Sequence, residues 1–334
     1  MHKRSVLALI VAASLGVLPS RPATAASACV NNLAQLALVL AAAQDNGEDD
    51  VIFVEVGTYT LGAELDYFAP PSEEHDLAIY GGMAPGCTGL ATSGSTILDG
   101  GSAARILYII GRGSVTVSGF VFAHGNAGAG SGGGLVISGG SNVVATVTRN
   151  FFLANEAPGN DGGSAAEIGA EIIILVDNVF LANSGGSTIH LIADSYADVN
   201  NNTVVDNVLA NHVGRGALEA TGTGQYSLAN NILWNNEGSD VYDESGAVWY
   251  YNNDVGVRAG DPPQFETDGL SVDPEFEDIG LRLSPTSPLV NVGYDTPYGG
   301  IGDVDLSGNA RLTGKHVDLG AYETDVLLRD GFGG

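Results

Sequence analysis

The chain is poor in positive charge: 12 Lys and Arg stand against 39 Asp and Glu in 334 residues, a net charge of −27. Lysine is nearly absent, with only Lys3 and Lys315. A nucleic acid presents a dense row of phosphates that needs clustered cations, so nucleic-acid binding is excluded. Anionic lipid surfaces are disfavoured on the same ground. The surplus acid suits a soluble, monomeric protein. Cysteine is scarce too, limited to Cys29 and Cys87. Without a C-x-x-C spacing nothing about the pair suggests redox catalysis. No apolar run is long enough to span a bilayer. Glycine is plentiful at 48 residues, yet no Gly-X-Y period runs through it, which excludes collagen.

The one pronounced apolar run, Val6 to Leu18, follows His2, Lys3 and Arg4 and precedes Ala23, Thr24 and Ala25. A basic start, a short apolar stretch and a small-residue cleavage pattern make residues 1–25 a signal peptide. A cut after Ala28 would place Cys29 first, as in a lipoprotein. The preceding Ala26, Ser27 and Ala28 lack the bulky aliphatic that lipidation signals prefer. Loss of residues 1–25 removes Lys3, Arg4 and Arg21 and no acid, leaving nine basic residues and a net charge of −30. The mature protein is therefore expected to be secreted or held at a bacterial cell surface. In that oxidising setting Cys29 and Cys87 are expected to form a disulfide. Closing a 58-residue separation would stabilise the fold by about 4 kcal/mol.

What recurs is a unit of two asparagines five apart around an apolar centre. The pairs are Asn150 and Asn155, Asn178 and Asn183, Asn202 and Asn207, Asn231 and Asn236, spaced by 28, 24 and 29 residues. A degenerate copy lies at 117–126. A period in the twenties, built of short β-rich runs between Gly and Asn turns, specifies a solenoid. Between Gly113 and Asn236 no amphipathic helical segment is found, and the leucine-rich-repeat spacing is absent. The expectation is an all-β, right-handed, single-stranded parallel β-helix. The asparagines are assigned to the fold: they tolerate left-handed bends and can hydrogen-bond up a stack.

Residues 26–60 read as an N-terminal cap. The run Asn32 to Gln44 has helical propensity and an apolar stripe, and Val51 to Val56 reads as a strand. Such a helix can hide the open end of the core. The solenoid is expected over 61–323, with a short tail at 324–334. After Asn236 the repeat decays. Residues 237–305 carry 15 carboxylates and are expected to be irregular coils and surface loops.

Three stretches resemble the bacterial β-helix proteins of the pectin-lyase-like group, and more narrowly the choice-of-anchor Q domain proteins. They are Ala78-Ile-Tyr-Gly-Gly-Met-Ala-Pro-Gly-Cys87; Asp273-Pro-Glu-Phe276 with the Leu281 to Val290 segment; and Asp303 to Arg311 with Val317-Asp-Leu-Gly-Ala-Tyr-Glu323. The resemblance spans roughly Cys29 to Glu323 and implies fold and export, not a reaction. The polysaccharide-degrading members of the group act on an exposed sheet face. The paired-arginine motif of pectate lyases is not found, nor is the Asn-Thr-Asp, Asp-Asp and Gly-His-Gly set of polygalacturonases.

Strand alternation gives one constellation on such a face. Aligning the runs that end at Ile137, Ile168, Leu191 and Ala220 points Leu135, Ala166, Ile189 and Leu218 inward. The outward position then reads Val136, Glu167, His190, Glu219, with Arg215 at the rim. Small neighbours at Ala165, Thr188 and Ala217 would leave a shallow groove. With turns stacked at ~4.8 Å the two glutamates lie ~10 Å apart, a spacing that suits acid and base in an inverting glycosidase. The same ladder could hold a divalent cation. The plainer alternative is a row of solvated side chains on an exposed sheet. His124, at a turn, is assigned a structural role. Asp303, Asp305 and Asp318, with Glu323, are weaker candidates for Ca²⁺, against which stands a role in capping turns. The expected function is a non-catalytic secreted or cell-surface binding or structural protein for extended polysaccharides or surface glycans. The alternatives are a polysaccharide lyase or glycoside hydrolase using Glu167, His190, Glu219 and Arg215, and an adhesin-like passenger.

Overall fold

A computed structural model describes residues 26–159, 162–209 and 215–324. The expected signal peptide, residues 1–25, and residues 325–334 of the tail lie outside the described residues. The chain winds as a parallel β-helix whose turns contribute strands to three faces. All strand pairings between named strands are parallel, in a 16-stranded sheet that wraps the first two faces, an 8-stranded sheet that makes the third, and a small pair formed by Ser184–Gly185 and Val208–Leu209. Two long strands, Ala166–Val176 and Ile189–Asn200, run across both faces of the larger sheet.

Each face contributes a column of inward side chains, because equivalent residues of successive turns stand one above another. On the third face Leu98, Phe122, Phe152, Phe180, Val204 and Leu233 are stacked in register. The rings of Phe122, Phe152 and Phe180 lie nearly parallel, with centroids 4.9 and 4.6 Å apart. These residues belong to one continuous core that runs the length of the solenoid. Its N-terminal end is closed by the helix Leu33–Ala43, which buries Leu36, Leu40 and Ala43. Asn32 caps that helix, its side chain accepting from the Gln35 amide at 3.0 Å. Cys29 and Cys87 are joined in a disulfide with Cα atoms 5.9 Å apart.

The repeated asparagines form two buried ladders flanking the third face. In the first, Asn150, Asn178, Asn202 and Asn231 each donate their amide N–H and their side-chain NH₂ to the Oδ1 of the next, ending on Asn253. The second runs Asn155, Asn183, Asn207 and Asn236, and Asp240 takes the place of the next asparagine as acceptor. The ladder asparagines themselves are not left-handed, contrary to the sequence expectation. The residue before each one is: Arg149, Asp177, Asn201, Asn230 and Asn252 have φ of 48 to 58°. The bend is thus taken one residue early. The ladder Asn reads the next turn with its side chain while its own backbone re-enters the strand.

Residues after Asn236 also depart from expectation. They are not a set of surface loops. Ser239–Asp243, Val248–Tyr251, Arg258–Gly260 and Phe265–Thr267 continue the larger sheet. The remainder, 270–324, runs back along the outside of the third face. It buries Leu281, Leu283, Leu289, Leu319 and Tyr322 against Val179, Val205 and Ile232. The third-face strands are apolar on both sides because both sides are covered. The side chains just ahead of the first ladder hold this strap: Asn252 donates to Val292 O at 2.8 Å, Asn230 to Tyr294 O at 3.0 Å and Asn201 to Asp318 O at 3.3 Å.

Candidate functional site

The predicted column has the expected register. Val136 pairs with Glu167, Glu167 with His190, and His190 with Glu219, on adjacent turns of the first face. Two turns at ~4.8 Å each keep the glutamates on one line and ~10 Å apart at their backbones. His190 bridges the upper pair. Its Nδ1 lies 3.4 Å from Glu167 Oε2, and its Nε2 lies 3.1 Å from Thr221 Oγ1. Arg215, four residues earlier on the same turn, pairs with Glu219 Oε1.

The column is not the open polar face that the sequence suggests. The Glu219 side chain has 0 % exposure and that of His190 15 %. Ala165, Thr188 and Ala217, expected to border a groove, are fully buried. The cover comes from the turns leading into these strands. A Cβ at Gly162 would stand 2.1 Å from Glu167 Oε2, so the backbone there rests directly on the carboxylate. Burial pushes the Glu167 carboxyl up. The hydrogen bonds from His190 and Ser131, the histidine charge and the Gly163 amide together outweigh it, and the group lies below its ordinary range. An inverting hydrolase needs one carboxyl kept protonated and room for water between the two. Here Glu167 is held ionised and Glu219 is closed beneath a guanidinium. The arrangement matches buried carboxylates with a histidine and an arginine, as ion pairs within a fold do.

In the acidic tail the aspartates serve as acceptors for turn amides. Asp305 Oδ1 accepts the amides of Ser307 and Asn309 at 2.9 and 2.8 Å. Asp318 accepts from Asn291 and Thr324, both at 2.7 Å. Asp303 is exposed and its carbonyl accepts from the Arg311 amide. The buried cation at the centre is Arg311, with Nη2 3.3 Å from Asp177 and Nη1 3.6 Å from Glu323. Burial raises Asp177 to about 7 and Glu323 to about 8, despite the guanidinium. Turn amides take the oxygens of Asp305 and Asp318, while Glu323 Oε2 is left buried without a hydrogen-bond partner beside Arg311. Among the described residues one close group of ligand types is Cys29, Glu55 and Cys87, and the disulfide consumes its sulfurs. His124 sits in a left-handed turn with Nδ1 3.2 Å from Asp99 Oδ1.

A different surface, missed in the sequence, carries exposed chemistry. It is the outer side of the second face over the last turns. Trp249 and Tyr251 point outward from one strand, and Phe265 contacts both, with centroids 5.8 and 5.5 Å away. Tyr294 stacks on Tyr251 at 5.2 Å, and Tyr298 packs on Tyr196 at 4.5 Å. Phe265 is 44 % and Tyr298 81 % exposed. These rings come from the solenoid and from the strap, so no single segment shows them together. The readable signal was the pair Trp249 and Tyr251, at strand positions that hold Ser227 and Ala229 one turn earlier. Two surface depressions among the described residues, about 390 Å³ beside Glu64 and Arg105 and about 540 Å³ beside Asp76 and Arg112, lie on earlier turns and include neither cluster. Among the described residues no helix is long and apolar enough to cross a membrane. No family model, no curated protein and no solved structure matches the chain.

Proposed function

We propose that the chain is an exported β-helix protein of the pectin-lyase-like group, resembling the choice-of-anchor Q proteins in its motifs. It acts outside the cell as a secreted or cell-surface binding protein for extended glycans, without catalysis. The observation that carries this reading is the cluster of outward rings on the second face and the strap beside it: Trp249, Tyr251, Phe265, Tyr294 and Tyr298. Aromatic rings offer large flat contact area at little entropic expense, and sugar rings present matching C–H faces. The disulfide supports an oxidising compartment. Closure of the Glu167–His190–Glu219 column speaks against turnover there.

The test is a polysaccharide panel, run with and without Ca²⁺, scoring retention in affinity gels alongside release of reducing ends and unsaturated products. Retention without cleavage is the expected result. Cleavage that disappears in both Glu167→Gln and Glu219→Gln would make the first-face column an active site and overturn the non-catalytic reading.

A further inference from the structure

The outer surface of the second face changes character along the stack. One column of aligned outward positions reads Thr146, Ile174, Asp198, Ser227, Trp249, Phe265. Its neighbour reads Thr148, Val176, Asn200, Ala229, Tyr251, Thr267. Small or aliphatic side chains thus give way to two aromatic groups. Tyr196 and Tyr298 mark the turn of Asp198, and Trp249 and Tyr251 stand two turns later. Two turns at ~4.8 Å separate the groups by about 10 Å at the backbone. Over the Ala229 column that interval is filled by Tyr294, which stacks on Tyr251 and exchanges hydrogen bonds with the Asn230 side chain on the intervening turn. A sugar ring can therefore enter only over the Ser227 column, beside Trp249, by displacing Tyr298.

The base of this slot is polar and unsatisfied. Tyr196 Oη, Asp198 Oδ1 and Ser227 Oγ are buried with no hydrogen-bond partner among the described residues. Burial pushes the Tyr196 hydroxyl up, and Ser227 lies near enough to oppose that shift, yet the two hydroxyls do not meet in hydrogen-bond geometry. Asp198 and Ser227 are each only 2 % exposed. Buried polar atoms are ordinarily paired, since leaving one unmade costs about 1–3 kcal/mol. Three together, on adjacent turns and beneath aromatic rings, are an array of donors and acceptors waiting for hydroxyl groups. The cover over them is thin. Gly299 rests on Asp198 so closely that a Cβ there would fall 1.7 Å from Oδ2. Tyr298, next to it, stands 81 % exposed. Gly300 and Gly302 have positive φ, and the backbone there is held by Asn200, whose side chain donates to Gly300 O at 2.7 Å, so Tyr298 is free to move through its side chain rather than with the segment.

The charges nearby define the occupant. Arg258 is committed to Glu266 at 2.7 Å and lies over Tyr250. His316 is paired with Asp295 at 2.7 Å. Asp198 adds an acid at the base. A uronic-acid or sulfated chain would bring further negative charge to an acidic protein. We infer that this slot, with Tyr196 and Tyr298 on one side, Trp249 on the other and Asp198 and Ser227 at its base, is a subsite for one pyranose unit of an uncharged polysaccharide. The inference rests on the glycan-binding reading above. Entry swings Tyr298 outward, the sugar stacks against Trp249, and its hydroxyls satisfy Ser227, Asp198 and Tyr196.

The test uses the full mature chain against uncharged polysaccharides (β-glucan, xylan, galactan, mannan) and polygalacturonate, in affinity gels. Trp234 and Trp249 are the two tryptophans, so a Trp234→Phe background makes emission report on Trp249 alone during titration with uncharged oligosaccharides. The expected result is retention on at least one uncharged chain with a shifted Trp249 emission. Trp249→Ala and Tyr298→Ala should each weaken retention about ten-fold or more. Tyr298→Ala removes an exposed ring and should keep the parent Tm, so loss of binding there is not loss of folding. If the parent is retained on an uncharged glycan and both variants match it, the slot is wrong and the glycan reading stands. If retention is confined to polygalacturonate, the uncharged class is wrong and the glycan reading again stands. If the parent is retained on nothing, both fall.

Discussion

Two polar columns run up the outside of this solenoid, one on each face of the larger sheet, and they are built on opposite terms. On the first face Glu167 meets His190 and Glu219 meets Arg215, so each carboxylate has a cation or a strong donor. On the second face Asp198, Ser227 and Tyr196 each leave a buried atom unpartnered among the described residues. Burial of a charge is tolerated where the fold supplies its match. The first column is therefore explained by folding alone. Both faces leave buried polar atoms unpartnered among the described residues, Glu219 Oε2 and Thr188 Oγ1 on the first as well as the three of the second; the second differs in that its carboxylate, Asp198, is in no ion pair among the described residues.

The contrast is broken most sharply at Arg215. Arg215→Ala leaves Glu219 as a carboxylate of 0 % side-chain exposure without its guanidinium. Loss of one partner of a buried pair costs about 3–5 kcal/mol. Asp198→Asn removes a buried carboxylate with no cation beside it, whose ionisation burial opposes, so at pH 7 it should not destabilise and should raise stability. Chemical denaturation of the two variants measures the difference directly. Equal, small effects would mean that Glu219 is open to solvent and that the first-face column is again a site for ligands.

A second comparison sets the interior asparagines against their neighbours. Asn207 donates to Phe180 O, Val205 O and Asn236 Oδ1 and accepts both Asn183 donors, all between 2.8 and 3.1 Å. Asn207→Ala orphans partners on two adjacent turns and should cost about 3 kcal/mol. Asn235, two residues after Leu233 in the same unit, only touches Asp206 at the surface. Asn235→Ala should lower Tm far less. A Tm for Asn207→Ala within a degree of Asn235→Ala would show that the ladder is not what holds the turns together.

These asparagines also show what was legible. Their recurrence specified the period, the period specified the solenoid, and strand alternation specified the register of Glu167, His190 and Glu219. Three things were not read. The cover on that column comes from the backbone at Gly162 and the guanidinium of Arg215, and a loop's path has no periodic signature. The strap is aperiodic too, but it left two traces: strands apolar on both sides, as at Val179 to Leu181, and doubled asparagines at Asn201–Asn202, Asn230–Asn231 and Asn252–Asn253. The first of each pair holds the strap and the second joins the ladder. The solenoid's last turns were dismissed because the five-residue spacing stops at Asn236. Asp240 and Asn253 carry both ladders further by other spacings.

The smallest effect, and the most diagnostic of the unpaired column, is in the pH dependence. Burial pushes Asp198 up to about 7, against the pull of the Gly299 amide. Its folded pKa thus exceeds its unfolded value of about 4, so the unfolded chain loses this proton first. The contribution to stability is full below pH 4, declines as pH rises, and is gone once pH passes 7. Asp198→Asn has no proton to lose, so its Tm should fall less between pH 4 and 8 than that of the parent. Asp177 and Glu323, raised in the same direction beside Arg311, titrate in both proteins and cancel in the difference between the two profiles. Saturating the parent with an uncharged oligosaccharide should lift the whole curve, and should do so less in Asp198→Asn, where one acceptor oxygen has become a donor. Parallel profiles for parent and variant would place Asp198 in contact with solvent, and the second face would then be as well matched to its surroundings as the first.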